Sequence, residues 1–213
     1  MFRIDNRGVL LAQPLEELPW LEHGFGTRSS VDWPAEAALA TLKQIHSNTV
    51  LVADQPGVIG EGDALITNRP GIMLAIRTAD CLPILIADPA NRAVAAVHSG
   101  WRGTVQEIAP QTVLAMRDQF GSRPEDLVVV VGPGIGGCCF EVGPEVAEQF
   151  GRSGRTKIDL TETVRRQLGR NDGIARQFAS AGMCTVCRAD LFHSYRRDRE
   201  AAGRMVGAIR IRD

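Results

Sequence analysis

A layered α/β sandwich with a mixed β-sheet, an α-β-α arrangement in one domain spanning residues 1–213, follows from three observations. Residues 72–76, 82–87, 93–97 and 127–131 are unbroken apolar runs of strand length, and such runs suit strands buried on both faces. Between the third and fourth run, Val105, Ile108, Ala109, Thr112, Val113 and Met116 recur at helical spacing. No repeat, low-complexity tract or linker divides the 213 residues, a length one hydrophobic core can serve.

The elements read in order as follows. Residues 2–12 (FRIDNRGVLLA) predict an edge hairpin turning at Asn6-Arg7-Gly8. Residues 33–42 (WPAEAALATL) have helical composition with proline in the first turn. The helix that begins near Val105 ends at Gly121 and Pro124. The turn-rich passage 132–143 lies between well-patterned segments and reads as a functional loop. Residues 144–150, 160–168 and 173–181 predict further helices, and residues 206–211 a closing strand.

Composition narrows the function classes. No run approaches the ~20 apolar residues of a membrane span, and the start, MFRIDNRG, carries no secretory apolar region; a cytoplasmic protein is expected. Five cysteines, two of them adjacent, make a poor disulfide framework and suit reduced thiols. Residues 152–213 hold 14 Lys and Arg against 7 Asp and Glu, and residues 1–151 hold 10 against 18. The arginines of the basic third are scattered and accompanied by few aromatics. They suit a solvated surface that focuses an anionic co-substrate better than a nucleic-acid face.

His46, Cys81 and His98 are the residue types a catalytic zinc uses, three protein ligands with one position open. Each sits where an apolar run meets a small or polar residue, as at a strand end. No HExxH or paired CxxC is present, so on local sequence alone buried imidazoles and an inert core thiol fit as well. Asp80 either orients a ligating imidazole or caps a turn. Arg77, four residues before Cys81, has no evident part in tuning that ligand. The GPGIGG stretch at 132–137 has the composition of an anion nest, or of tight turns and close packing; no Gly-Lys-Ser/Thr follows, so it is not a Walker A loop. Cys138 and Cys139 either line a pocket without ligating or are small buried thiols. Cys184-Thr-Val-Cys187 lacks a second CxxC and reads as structural, and His23 and His193 read as polar supports.

The blocks GDALIT (62–67), TADCLPILIAD (78–88), HSGWRGT (98–104), GPGIGGCCFEVGPEV (132–146) and SYRRD with GRM (194–206) resemble, in the same order, the YfiH family. Its members are also described as multicopper polyphenol oxidase or laccase-domain proteins, purine nucleoside phosphorylases and peptidoglycan editing factors. The resemblance implies a YfiH-like fold and zinc held by His46, Cys81 and His98. It implies Arg28, Gln44 and Asp80 as catalytic residues, with Arg28 and Gln44 facing the pocket. For phosphate or substrate it implies Arg28 or Arg102, with Gly134, Gly136 and Cys138 from the glycine-rich loop. The implied reaction is phosphorolysis of adenosine, inosine or methylthioadenosine to base and ribose-1-phosphate, with adenosine deamination as a side activity. Editing hydrolysis of a peptidoglycan precursor and copper-dependent phenol oxidation are the alternatives. Four histidines are too few for a multicopper relay, so copper in this site would be adventitious. The expected partners are a nucleoside and phosphate, with no nucleic acid, membrane or obligate protein partner. One departure stands out: only residues 29–41 span an interval that is long in many family members, which should alter one pocket wall.

Overall fold

The four apolar runs are unbroken because each strand they form is shared by two cores. In the computed structural model, which describes residues 1–30, 32–34, 38–169 and 177–213, these runs become β8 (Met73–Thr78), β9 (Leu82–Asp88), β10 (Ala93–Ser99) and β11 (Val128–Val131). Successive side chains of a strand point to opposite faces. Ile84, Ile86, Ala95, Val97, Val129 and Val131 accordingly enter one core, and Leu85, Ala87, Val94, Ala96, Val128 and Val130 the other.

Helices α3 (Ile108–Phe120) and α5 (Leu160–Gly169) close the first core with Val113, Met116, Val164 and Leu168. A second sheet closes the other. The six-stranded sheet runs β14-β11-β9-β10-β7-β5, with β5 (Val50–Val52), β7 (Ala64–Thr67) and β14 (Phe178–Ser180). The seven-stranded sheet runs β1-β2-β3-β15-β8-β4-β6, with β1 (Phe2–Ile4), β2 (Leu10–Ala12), β3 (Leu21–Phe25), β4 (Leu39–Lys43), β6 (Gly57–Glu61) and β15 (Met205–Ile211). Both of these sheets are mixed; a short ribbon pairs β12 (Glu141–Val142) with β13 (Thr156–Lys157), and α1 (Gln13–Glu16) lies between β2 and β3 in the chain. The α/β class and mixed sheets expected from the sequence are present, and the β layer is double. On the outer face of the seven-stranded sheet, Trp33 packs against Val9, Met73, Ala75 and Ala208.

The edge hairpin forms as expected: Asp5 Oδ1 accepts from the Arg7 and Val9 backbone N–H groups, and Gly8 takes φ +76°. The closing strand and the helices at 144 and 160 also form, the first as α4 (Pro144–Ala147) continued by a 3₁₀ turn. Three expectations fail. Residues 39–43 are a strand, because β4 fills the parallel slot between β8 and β6, and that pairing overrides helical composition; residues 35–37 lie outside the described residues. Residues 178–180 are a strand covering the edge of β11, while 173–176 lie outside the described residues. The helix expected from Val105 is broken into α2 (Trp101–Val105) and α3 by Glu107, whose φ is +59°.

Register gathers the site at one end of the six-stranded sheet. Antiparallel β9 and β10 place His98 opposite Pro83 and Ser99 opposite Leu82, so Cys81 and His98 adjoin. Antiparallel β7 places Ala64 opposite Val97, which sets Asp63 beside His98. Parallel β5 sets Val50 opposite Ala64, so the turn before it, carrying His46, arrives at the same edge. Among the described residues no helix is long and apolar enough to cross a membrane.

Candidate metal centre and pocket

His46, Cys81 and His98, separated by 35 and 17 positions in sequence, thus meet at one point. The donor atoms of His46, Cys81 and His98 all lie within 4.8 Å of one another. The two imidazoles meet edge to face with ring centroids 4.9 Å apart. Gly100 leaves them room, since a Cβ there would come 2.9 Å from Cys81 Sγ and 3.1 Å from the His46 ring.

Asp63 organises this centre. It is fully buried, and its carboxylate accepts from His98 Nδ1 at 2.8 Å. It also accepts from the backbone N–H groups of Ile45, His46 and Ser47 at 3.3, 3.0 and 2.6 Å, and from the Ser47 hydroxyl. The first bond fixes the tautomer and leaves His98 Nε2 to face the centre. The backbone bonds hold the turn in which His46 adopts φ +60°, a conformation that costs a non-glycine residue of order 1 kcal/mol and needs such support. Burial alone would raise the Asp63 and Cys81 pKa values and lower that of His98; the mutual hydrogen bonds reverse all three. The carboxyl is held in its charged form, the thiol favours thiolate, and the imidazole favours its protonated form. A thiolate flanked by imidazoles at these distances fits a divalent cation, which would replace the proton.

The centre lies in a pocket of about 760 Å³. Trp101 and Phe140 form aromatic walls, and Tyr195 stands at its side. Four arginines line it: Arg77, Arg196, Arg199 and Arg204. Arg196 donates to the Glu141 carbonyl at 2.9 Å, and Arg204 to the Ala202 and Gly203 carbonyls. Among the described residues, no hydrogen bond or ion pair engages the guanidinium of Arg77 or Arg199.

Several sequence expectations are corrected by these positions. Arg28 does not line the pocket: its Nε donates to the Phe192 carbonyl at 3.1 Å and its Nη2 to Asp198 at 3.2 Å, which turns it toward the C-terminal segment. Arg102 is also outside, stacked at 4.4 Å on the Trp101 ring. Gln44 lines the pocket, but both ends of its amide are spent on the Arg77 backbone, at 2.8 and 2.9 Å, tying β4 to β8. Asp80, at φ +88° in the corner where the chain passes from β8 to β9, accepts from Thr185 Oγ1 and the Arg196 N–H, each at 2.6 Å. It lines the pocket and braces the corner, the turn-supporting one of the two roles read from the sequence, and the carboxylate that orients an imidazole is Asp63.

The glycine-rich loop is no anion nest. The N–H groups of Gly134, Ile135 and Gly136 are taken by the Met183 carbonyl, the Asp80 carbonyl and Cys184 Sγ. Its glycines serve close packing: a Cβ on Gly134 would lie 2.5 Å from Leu82. Gly134, Gly136 and Cys138 do not line the pocket; Cys138 lies with Cys139, Cys184 and Cys187. His23 accepts from the Ala12 N–H at 2.9 Å, a polar support as expected. The sequence reading missed Asp63, Trp101 and Arg199, and gave Arg77 no part at the site. An aspartate directly before an apolar strand was the available signal for Asp63.

A mixed two-sheet α/β fold with a His–Cys–His centre at its strand ends, opening into an arginine-lined pocket, defines the class of protein. The chain belongs to the family described as multi-copper polyphenol oxidoreductase laccase, whose model matches residues 27–212; this is the YfiH family. Over 180 residues it is 44% identical to a protein of Deinococcus radiodurans named purine nucleoside phosphorylase, covering 80% of this chain and 69% of that one. It is 35% identical over 181 residues to the Escherichia coli purine nucleoside phosphorylase YfiH, covering 79% and 72%. The crystal structure of YlmD from Geobacillus stearothermophilus aligns with a TM-score of 0.90 at 26% identity, covering 100% of this chain and 99% of that one. The Bacillus licheniformis protein YfiH aligns equally well at 25% identity, covering 99% of each.

Proposed function

We propose that the protein is a zinc-dependent purine nucleoside phosphorylase acting on adenosine, inosine or a related nucleoside. The observation that carries this reading is one pocket combining the His46–Cys81–His98 centre, two aromatic walls and two uncommitted guanidiniums. The printed names of the relatives support it. A purine face stacks on Trp101 or Phe140. Arg77 and Arg199 offer the planar fork that binds a phosphate oxyanion bidentately, the role the family resemblance implied for Arg28 or Arg102.

In the reaction a phosphate oxygen bonds to C1′ as the glycosidic bond breaks. The bonding pair leaves on the purine nitrogen, which takes up a proton. The arginines hold phosphate in line with C1′, and the aromatic walls fix the base, so that proximity supplies much of the acceleration. His46, Cys81 and His98 would hold zinc, which supplies Lewis acidity toward a substrate oxygen. The donor set favours zinc over a copper relay: His23 and His193 lie outside the pocket, so only two imidazoles face it. Adenosine deamination belongs to the same zinc chemistry as a minor reaction.

The test is incubation of zinc-loaded, copper-free protein with adenosine or inosine, with and without phosphate. Base release only with phosphate is expected. Equal release without phosphate would replace phosphorolysis by hydrolysis, and oxygen uptake on a phenol without base release would replace it by oxidation.

A further inference from the structure

The cysteines outside the pocket are not independent thiols. Cys138 and Cys139 follow the glycine-rich loop, while Cys184 and Cys187 lie more than forty residues further along, yet the four sulfurs all fall within 4.8 Å of one another. Cys187 Sγ is 3.7 Å from Cys138 Sγ and 3.5 Å from Cys139 Sγ. These separations far exceed the ~2.05 Å of a disulfide. They approach the edge of a tetrahedron whose centre lies ~2.3 Å from each sulfur, an edge of about 3.8 Å. An iron–sulfur cluster spreads its cysteines over more than one iron and holds them further apart.

The surroundings also suit bound thiolates. Cys184 Sγ accepts from the Gly136 N–H at 3.3 Å, and the N–H groups of Val186 and Cys187 face the same sulfur. Glycine at 136 eases this approach, because a Cβ would come 3.2 Å from Cys184 Cβ and 3.3 Å from Cys138 Sγ, closer than ordinary contact. Four thiols this close cannot all ionise without a cation among them. Cys138 and Cys187 are exposed while Cys139 and Cys184 are half-buried, which leaves a metal a route in.

We propose that Cys138, Cys139, Cys184 and Cys187 form a second metal centre, a closed four-thiolate zinc site that braces the pocket. Four protein ligands leave no open position, so its role is structural. It joins two loops that meet the first centre from behind. Phe140, a pocket wall, adjoins Cys139. Thr185, inside the Cys-x-x-Cys turn, donates to Asp80 at 2.6 Å, next to Cys81. Thr185 N–H also donates to the Gly134 carbonyl at 3.0 Å.

The test is metal analysis of reduced protein. Wild type should carry two zinc per chain, Cys81→Ser one, and the double variant Cys184→Ser/Cys187→Ser one, with a lowered Tm. Exchanging the zinc of Cys81→Ser for cobalt should give the intense thiolate-to-cobalt absorption of a four-sulfur tetrahedral site. This measurement stands even where the double variant does not fold, and it is independent of what the pocket catalyses. Less than a tenth of a zinc per chain in Cys81→Ser with four freely titrating thiols, or iron or copper in place of zinc, would overturn the assignment.

Discussion

The two sulfur-containing centres of this molecule are assembled in opposite ways. The His46–Cys81–His98 centre stands on sheet register: two strand ends and a braced turn deliver its ligands, and the buried Asp63 carboxylate orients one ring while holding the turn of another. It offers three donors and faces a 760 Å³ pocket. The four-cysteine centre stands on two loops, is half exposed, and supplies every ligand a tetrahedral metal takes. An open position is useful only when its ligands cannot shift to fill it, and a strand scaffold prevents that shift. A closed centre needs no such scaffold, because the metal itself orders the loops. Breaking the first should therefore cost activity with little stability, and breaking the second mainly stability.

The largest effect is expected from Cys81→Ser, which should lower kcat/KM more than about a hundredfold while circular dichroism and Tm stay close to wild type. A fully active variant would detach the thiolate from the reaction. Asp63→Asn should follow, with zinc affinity of the first centre weakened by about 10–100-fold and the four-cysteine centre untouched. Competition with a chelator measures this, and unchanged affinity would show that the His98 tautomer needs no carboxylate. Arg77→Ala should raise the phosphate KM about tenfold, the loss of one charge-assisted interaction, and the nucleoside KM little; Arg28→Lys should move neither. The reverse ranking would return the anion site to Arg28.

The smallest effect on catalysis is expected at His23, which does not line the pocket. Burial lowers its pKa from the ordinary 6.5 to about 4, and its Nε2 accepts the Ala12 N–H. The folded state keeps His23 neutral where the unfolded chain already binds a proton, so stability falls as pH drops from 6.5 toward 4, by about 3 kcal/mol. His23→Gln, which keeps an acceptor, should flatten that fall in a urea-denaturation series over pH without changing kcat at pH 7.

How far the sequence revealed this molecule depends on the range of the physics involved. The strands at 72–76, 82–87, 93–97 and 127–131 were legible because burial on two faces writes itself into every residue of a run. The strand at 39–43 was not, since its identity comes from a slot between β8 and β6 that local composition does not record. The grouping of His46, Cys81 and His98 was legible through the family resemblance, to which residue type alone added little. Arg28 was misplaced because Asp198, 170 residues away, decides where its side chain goes, and the choice between the two roles open to Asp80 rests on the Arg196 N–H, 116 residues away. The four cysteines escaped because an adjacent pair and a lone Cys-x-x-Cys match no spacing rule, and only the fold brings them together.

The central claim is that the open centre and its arginines join phosphate to a nucleoside. Phosphorus-31 NMR of zinc-loaded protein with inosine and inorganic phosphate tests it most directly. Ribose-1-phosphate should appear in step with free hypoxanthine, one for one, and Cys81→Ser should form neither. Hypoxanthine released with free ribose and an unchanged phosphate signal would contradict the account.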